Sequence, residues 1–258
     1  YNGNPDLVYI PDNNFEQYLE ANGLGDGIEN NHYVLTSKIS NIIYLDVNSL
    51  GITSLEGIQY FSELTYLFCQ NNLLNTIDLT QNIKLESVNC RYNQINSLDV
   101  SQNNLLVSLI CNDNLLTTLN LSKNVFLQQL GCEDNQLTVL DVSSNLLLKY
   151  FICGNNFLEN LDVTNNTSLS YLGCHANQLT FLDVSNNNLL EVLSFGDNKL
   201  SSIDISNLNL LSEFRCYGNQ LLCVKLNNGN NTNISIYDAK NNPDLECIEV
   251  DDSNWSEE

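Results

Sequence analysis

Apolar residues recur along this chain at a fixed spacing of 21 residues. Leucine occupies the first position of eight successive rungs, at Leu64, Leu85, Leu106, Leu127, Leu148, Leu169, Leu190 and Leu211. Each rung reads approximately LxxLxCxxNxLxxLDVSxNxx, and its two segments, LxxLxC and LxxLDV, place apolar residues at alternate positions. Such alternation predicts short strands with one buried face, and the fixed period indicates a solenoid in which successive rungs stack.

The 21-residue phrase resembles bacterial leucine-rich repeats, specifically the 21-residue class. The first-rung segment LGITSLEGIQYFSELTYL resembles internalin-type surface proteins. The segment after Leu226 resembles the closing rung of secreted repeat proteins of the Bacteroidetes type, in which a secretion-sorting domain commonly follows. The resemblance covers about residues 39–250. It implies a leucine-rich repeat solenoid that binds other macromolecules, often at the cell surface.

The predicted fold class is mostly β, because 21 residues with two extended segments and two turns leave no room for a full helix. We expect a solenoid with a parallel sheet on the concave side and short extended segments on the other side. The segment IPDNNFEQYLEANG predicts an N-terminal helical cap, with Asp12 or Asn13 at its N-cap and Gly23 at its end. The predicted domains are a cap at 1–41, a solenoid at 42–226, and a closing rung and cap at 227–258.

Two columns of asparagine mark the turns of each rung. The first column comprises Asn72, Asn93, Asn114, Asn135, Asn156, Asn177, Asn198 and Asn219. A buried carboxamide both donates and accepts hydrogen bonds, so these residues are expected to satisfy backbone groups where each strand ends. The second column, Asn82, Asn103, Asn124, Asn145, Asn166 and Asn187, is expected to do the same at the opposite turn.

Seven cysteines form a third column, at Cys69, Cys90, Cys111, Cys132, Cys153, Cys174 and Cys216. Each follows an inward apolar residue by two positions, and Phe195 replaces one member, which favours packing over metal ligation. Parallel side chains on neighbouring strands suit a disulfide poorly, so free thiols are expected. Cys223 and Cys247 lie outside the column at equivalent points of the last two rungs, and we expect a disulfide between them.

An aspartate directly follows an inward leucine or isoleucine of the second segment in most rungs. These second-side aspartates are Asp78, Asp99, Asp141, Asp162, Asp183 and Asp204. They are expected to face water and to discourage edge-to-edge pairing of sheets. The alternative is weak calcium binding between rungs, at Asp141, Asp162 and Asp183, because neighbouring carboxylates repel one another and a hard cation would relieve that repulsion. Otherwise no cofactor is expected.

The variable outward positions of the first segment are the expected ligand-binding surface. Aromatic side chains cluster there in two groups, which give the candidate binding residues Tyr66, Phe68, Tyr92, Tyr150, Ile152, Tyr171, His175 and Tyr217. Tyrosine rings offer flat apolar faces with a hydroxyl, which suits a protein hot spot or stacking against sugar rings. The alternative is that tyrosines are present only because they favour strands.

Charge and composition narrow the function further. The chain has nine Lys and Arg residues and 31 Asp and Glu residues, which gives a net charge of −22. This negative charge disfavours nucleic acid and anionic membranes as partners. No apolar run is long enough to insert in a membrane, and no nucleophile or metalloprotease motif is present. We expect a non-enzymatic, extracellular or cell-surface module that binds a protein or glycan, with its signal peptide removed. The alternatives are a structural spacer or cell-envelope component, or an accessory polysaccharide-binding protein.

Overall fold

The structure is a computed structural model that describes residues 6–252, and the chain divides into two compact units, residues 1–126 and 127–258. The predicted cap at 1–41 begins, and the predicted closing rung at 227–258 ends, outside the described residues. Within residues 6–252, no helix is long and apolar enough to cross a lipid bilayer.

Unit 1 begins with a small non-repeating region and continues as rungs. Its elements are β1 (Leu7–Tyr9), α1 (Asn13–Ala21), β2 (Tyr33–Leu35), α2 (Thr36–Ile39), β3 (Tyr44–Asp46), a 3-10 turn (Ile58–Tyr60), β4 (Tyr66–Phe68), β5 (Ile77–Asp78), β6 (Ser87–Asn89), β7 (Leu98–Asp99) and β8 (Ser108–Ile110). Strands β1 and β2 pair antiparallel, whereas β3, β4, β6 and β8 pair in parallel in that order. Strands β5 and β7 form a two-stranded parallel sheet.

Unit 2 consists of rungs and a closing segment. Its elements are β9 (Gln129–Gly131), β10 (Tyr150–Ile152), β11 (Tyr171–Gly173), β12 (Val192–Ser194), β13 (Ser202–Asp204), β14 (Glu213–Arg215), β15 (Cys223–Lys225), a 3-10 turn (Asn231–Asn233), β16 (Ile236–Asp238) and β17 (Cys247–Glu249). Strands β9, β10, β11, β12, β14 and β16 pair in parallel, without a register slip. Strands β13, β15 and β17 form a second parallel sheet.

The expected mostly β fold is confirmed, and the repeat explains its core. In each rung the two apolar residues of the first segment, the cysteine or, in one rung, Phe195, and the apolar residues of the second segment are buried. In the rung of Leu148, these are Leu148, Phe151, Cys153, Leu158, Leu161 and Val163. Residues of one class therefore stack on the same class one rung away, and the buried apolar side chains drive the stacking of rungs.

Helix α1 is capped by Asp12, one of the two residues that the sequence indicated. Its Oδ1 accepts hydrogen bonds from the backbone N–H groups of Asn14 and Phe15, both at 3.0 Å. Its Oδ2 accepts from the backbone N–H and the hydroxyl of Thr53, both at 2.7 Å, so one carboxylate joins the helix to the first rung. The ring of Phe15 also stacks on Phe61, with 6.2 Å between centroids.

The first asparagine column behaves as the sequence predicted. The Nδ2 of Asn177 donates to the carbonyls of Cys174 in its own rung and Cys153 in the preceding rung, at 3.2 and 3.0 Å. Its Oδ1 accepts the backbone N–H of Leu158 at 2.9 Å. A buried asparagine ladder therefore satisfies backbone groups between rungs, and the residue before each ladder member adopts a left-handed conformation, such as Ala176 with φ 50°.

The second asparagine column differs from the expectation. The Nδ2 of Asn166 donates to the carbonyls of Val142 and Asn145 at 3.0 and 2.9 Å. Its Oδ1, however, has no hydrogen-bond partner among the described residues, and the same holds for Asn187. These carboxamides act only as donors, because the turn presents carbonyls to them and no backbone N–H lies within reach of the oxygen.

The cysteines fall into the two expected classes. All seven members of the column are buried free thiols, and Phe195 is buried in the place of the missing member. Burial raises the pKa of the Cys90 and Cys174 thiols to about 12, so these groups are protonated and pack as apolar side chains. Cys223 and Cys247, which pair in register on β15 and β17, form a disulfide with 4.6 Å between their Cα atoms.

Candidate functional site

The outward side chains of strands β9 to β12 and β14 form the surface on which unit 2 presents its variable residues. The middle residue of each strand points into the core, so its first and third residues point outward, as does the residue two positions after the strand. We call this surface the first-strand face. It contains five of the predicted binding residues, Tyr150, Ile152, Tyr171, His175 and Tyr217, and all of them are half-buried.

Tyr150 and Tyr171 form the centre of the first-strand face. They are paired in register on β10 and β11, and their rings stack with centroids 4.5 Å apart and an interplanar angle of 30°. Burial, the neighbouring Tyr171, the Glu133 carboxylate and a side-chain hydrogen bond with Tyr171 all raise the pKa of Tyr150. The two rings therefore pack against each other, and the charge of Glu133 acts on Tyr150.

His175 and Glu133 form the second feature of this face. The imidazole Nε2 lies 3.2 Å from a carboxylate oxygen of Glu133, although two rungs separate the residues in the chain. Gly154 occupies the same position in the rung between them. A Cβ atom at Gly154 would lie only 2.5 Å from Cε1 and 2.7 Å from Nδ1 of His175, so the ring rests where a side chain would otherwise stand.

Tyr217 repeats this arrangement further along unit 2. Its ring rests over Gly196, where a Cβ atom would overlap the ring atoms. Burial, followed by the charges of Asp197 and Asp238, raises the pKa of Tyr217, whereas Arg215 opposes that shift. The guanidinium of Arg215 lies 2.6 Å from Glu213, so one of the basic groups on this face is already paired. Tyr217 thus belongs to the same face but has no described ring contact with Tyr150 or Tyr171.

The predicted group in unit 1, Tyr66, Phe68 and Tyr92, shows separate contacts for each of its members. Tyr66 donates a hydrogen bond to Glu86 at 3.2 Å, and the ring of Tyr92 lies 5.6 Å from the guanidinium carbon of Arg91. Among the described residues no ring pair joins Tyr66, Phe68 and Tyr92 to one another. Tyr92 lies at the left-handed turn position of its rung, with φ 54°, whereas Tyr66 and Phe68 lie on strand β4.

Phe68 instead contacts Tyr44, a residue that the sequence analysis did not single out. The two rings are 5.3 Å apart between centroids, and Tyr44 is paired in register with Tyr66 on the neighbouring strand. Tyr44 was missed because the first rung departs from the repeat. Its alignment with Tyr66 in the phrase IIYLDV against LTYLFC is the signal that identifies it.

The second-side aspartates have a local structural role in addition to the predicted solvation. The Oδ1 of Asp162 accepts the backbone N–H of Thr164 at 2.9 Å, and the same bond recurs in the rungs of Asp141 and Asp183. Hydrogen bonds with Thr164 lower the pKa of Asp162. Each aspartate therefore stabilises the turn after its own segment.

One group in residues 6–252 meets the geometry for a metal ion, and it lies away from the aspartates. The group consists of Cys223, Cys247 and Glu249, whose ligand atoms lie within 4.8 Å of one another. Two of these three residues form the disulfide, so they offer no thiolate to an ion.

Comparison with known proteins identifies related folds. No protein-family model matches the sequence, and no match was found among curated proteins. The functional domain of InlJ from Listeria monocytogenes, described as including a cysteine ladder, is 26% identical with a TM-score of 0.68. The alignment covers 95% of this chain and 61% of that one. A leucine-rich repeat protein from Leptospira interrogans is 25% identical with a TM-score of 0.68, and 73% of this chain and 52% of that one are covered.

Internalin C2 from Listeria monocytogenes is 21% identical with a TM-score of 0.69, and 82% of this chain and 92% of that one are covered. This chain spans less than two thirds of the InlJ and Leptospira chains. The structural neighbours are therefore internalin-type and other leucine-rich repeat proteins, and the chain has the fold of a leucine-rich repeat solenoid.

Proposed function

We propose that this chain is a non-catalytic binding module that recognises a protein partner through the first-strand face of unit 2. The observation that carries the proposal is the stacked, half-buried pair of Tyr150 and Tyr171 beside the Glu133–His175 contact. Structural neighbours with the same fold support a role in macromolecular recognition. The kind of partner is inferred from the side chains of the first-strand face.

The geometry of the tyrosine pair suits an interface hot spot. Tyrosine buries a large apolar ring on binding and supplies a polar hydroxyl at its edge. Because Tyr150 and Tyr171 already pack against each other, binding would order few additional side-chain torsions. Ile152, on the same strand as Tyr150, lies next to Gly173 and adds a low apolar surface beside the rings.

We infer that the module has no chemistry of its own. The chain has two histidines, and the one on the first-strand face, His175, contacts Glu133 on an open surface. Asp141, Asp162 and Asp183 each accept a backbone hydrogen bond from their own turn through one oxygen. We infer that binding through the first-strand face requires no cofactor. A scaffold that holds aromatic and charged groups at fixed spacings is sufficient for recognition.

We also infer an extracellular or cell-surface location, in a bacterial secreted protein. The Cys223–Cys247 disulfide fits an oxidising compartment. The seven other thiols are buried, so they are protected from oxidants there.

A glycan is the second candidate ligand, because flat tyrosine faces beside a carboxylate also suit sugar rings. The test is a binding screen of the purified chain against extracellular-protein and glycan arrays, beside a variant with Tyr150→Ala, Tyr171→Ala and His175→Ala. Phe181→Ala is the matched control, since Phe181 is 68% exposed in unit 2 and lies outside the first-strand face. We expect a protein hit that is lost in the triple variant and retained in the control.

The melting temperature of the triple variant should stay close to that of the parent, because its three side chains lie outside the core. A hit retained by the triple variant would refute the assignment of this face. A hit on glycans alone would favour the polysaccharide-binding function, and the absence of any hit would favour a structural spacer.

A further inference from the structure

We propose that the first-strand face of unit 2 recognises a cationic side chain, lysine or arginine, on its protein partner, which would lie against the Tyr150–Tyr171 pair with Glu133 as its charge partner. This inference rests on the proposed function and assigns the chemical class of the ligand group. It is carried by the juxtaposition of two ordered tyrosine rings with a carboxylate on an acidic surface.

The tyrosine pair supplies the first part of the site. The negative face of an aromatic ring attracts an ammonium or guanidinium group, and the attraction strengthens where water is partly excluded. Tyr150 and Tyr171 are half-buried and stacked at 4.5 Å, so two adjacent rings are held in place before a ligand arrives. A cation–π contact of this kind occurs within the protein itself, where the Arg91 guanidinium lies over the Tyr92 ring.

Glu133 supplies the second part. Glu133 follows β9 by two residues, and β9 pairs in register with β10, the strand of Tyr150, so the carboxylate lies on the same face as the ring pair. In agreement with this placement, its charge contributes to the raised pKa of Tyr150. Its described ion-pair partner is His175, which is a cation only when protonated.

The surrounding charge supplies the third part. Within and beside strands β9 to β12 and β14, acidic residues outnumber basic ones by five to two. The basic residues are Lys149 and Arg215, and the acidic residues are Glu133, Asp134, Glu191, Asp197 and Glu213. The whole chain carries a net charge of −22. Such a surface attracts a basic partner and repels an acidic one, so charge complementarity favours a lysine-rich or arginine-rich protein over an uncharged glycan.

The test compares two synthetic peptides that differ only in charge: one with four lysines, and the same peptide with those lysines acetylated. Acetylation removes the positive charge and keeps the length of the side chain. We expect the lysine peptide to bind the intact chain about tenfold more tightly than the acetylated peptide at low salt, and most of this difference to vanish at about 1 M salt. This comparison uses the unaltered protein, so it does not depend on the folding of a variant.

Variants then locate the site. Glu133→Gln should weaken binding of the lysine peptide by about fivefold to tenfold. Glu159→Gln is the matched control, because it removes the same charge from an exposed position of unit 2 outside the first-strand face and should leave binding unchanged. Replacing both tyrosines with alanine should abolish binding of the lysine peptide.

The outcomes separate this inference from the proposed function. If both peptides bind equally and both are lost on removal of the tyrosines, the face binds protein and cation recognition is wrong. If neither peptide binds while a neutral oligosaccharide does, both the protein-binding function and the cation inference are wrong. An equal effect of Glu133→Gln and Glu159→Gln, or no binding of the lysine peptide, would also overturn the inference.

Discussion

Two asparagines of one rung provide a quantitative test of what the ladder contributes. Asn156, in the first column, donates from Nδ2 to the carbonyls of Cys132, Cys153 and Gly154 at 2.9–3.2 Å, and its Oδ1 accepts the N–H of Leu137 at 2.9 Å. Asn166, in the second column, donates to two carbonyls and accepts nothing among the described residues. Both side chains are at most 5% exposed.

We therefore predict that Asn156→Ala lowers the free energy of unfolding substantially more than Asn166→Ala. A net hydrogen bond contributes about 1 kcal/mol, and a buried group that loses its partner costs about 1–3 kcal/mol. Asn156→Ala removes the bonds to carbonyls and also leaves the buried N–H of Leu137 unpaired, for a total of about 4 kcal/mol. Asn166→Ala removes only two donor bonds, at a cost of about 2 kcal/mol, and it deletes a buried oxygen that makes no hydrogen bond.

Urea titration followed by far-UV circular dichroism measures both changes. The two substitutions delete the same atoms from buried positions, so the difference between them reports mainly hydrogen bonding. Asn160→Ala is the control, because Asn160 is an exposed residue of the same rung, and its removal should change stability by less than about 0.5 kcal/mol. Equal losses for Asn156→Ala and Asn166→Ala would refute the reasoning that acceptor geometry distinguishes the columns.

Three further predictions concern the ends and the second side of the rungs. Burial tends to raise the pKa of Asp12, but its hydrogen bonds with Thr53 and the start of α1 lower the pKa below the ordinary value of 3.8. The stabilisation by Asp12 is therefore complete above about pH 4 and lost as the pH falls through the folded-state pKa. Asp12→Ala should cost about 3 kcal/mol at pH 7 and less at pH 2.5, measured by urea titration at both values, and an equal loss at both would contradict the assignment. Non-reducing mass spectrometry should find seven free thiols and one disulfide, and a count of nine free thiols would exclude the bridge. The double substitution Cys223→Ser with Cys247→Ser should destabilise the closing segment by about 2–4 kcal/mol. Removing calcium with a chelator should leave the melting temperature unchanged, because each second-side aspartate already stabilises its turn, and a fall in that temperature would instead support calcium binding between rungs.

The repeat explains why so much of the fold could be predicted from the sequence. Inward positions carry apolar residues in successive rungs, so the positions of Leu148 and Cys153 could be predicted as buried from the equivalent positions of the other rungs. Local turn chemistry was harder to predict. Asp162 was expected to face water or to bind calcium weakly, although the phrase LDVT places a backbone N–H two residues after the carboxylate, within reach of its Oδ1.

The candidate site divides in the same way. Stacking of Tyr150 on Tyr171 follows from one residue type at one outward position in two successive rungs, since neighbouring parallel strands lie about 4.8 Å apart. The rings of the group predicted around Tyr66 and Tyr92 make no described contact with one another; these residues occupy different positions of the rung, and Tyr92 lies in the left-handed turn. Proximity along the sequence was a weaker guide than equivalence of position.

The contact between Glu133 and His175 could not be predicted by that rule, because residues two rungs apart should be separated by roughly 9.6 Å, twice the strand spacing. The side chains nevertheless approach to 3.2 Å, and Gly154 between them is the reason, since a Cβ there would collide with the imidazole. Gly196 gives Tyr217 the same freedom to lean over a neighbouring rung. In a solenoid whose backbone repeats without a slip, the individuality of the outward face therefore depends on where a column is interrupted by glycine as well as on which large side chains it carries. A glycine at an outward position lets groups from non-adjacent rungs converge on one ligand group, which an unbroken column of side chains would prevent.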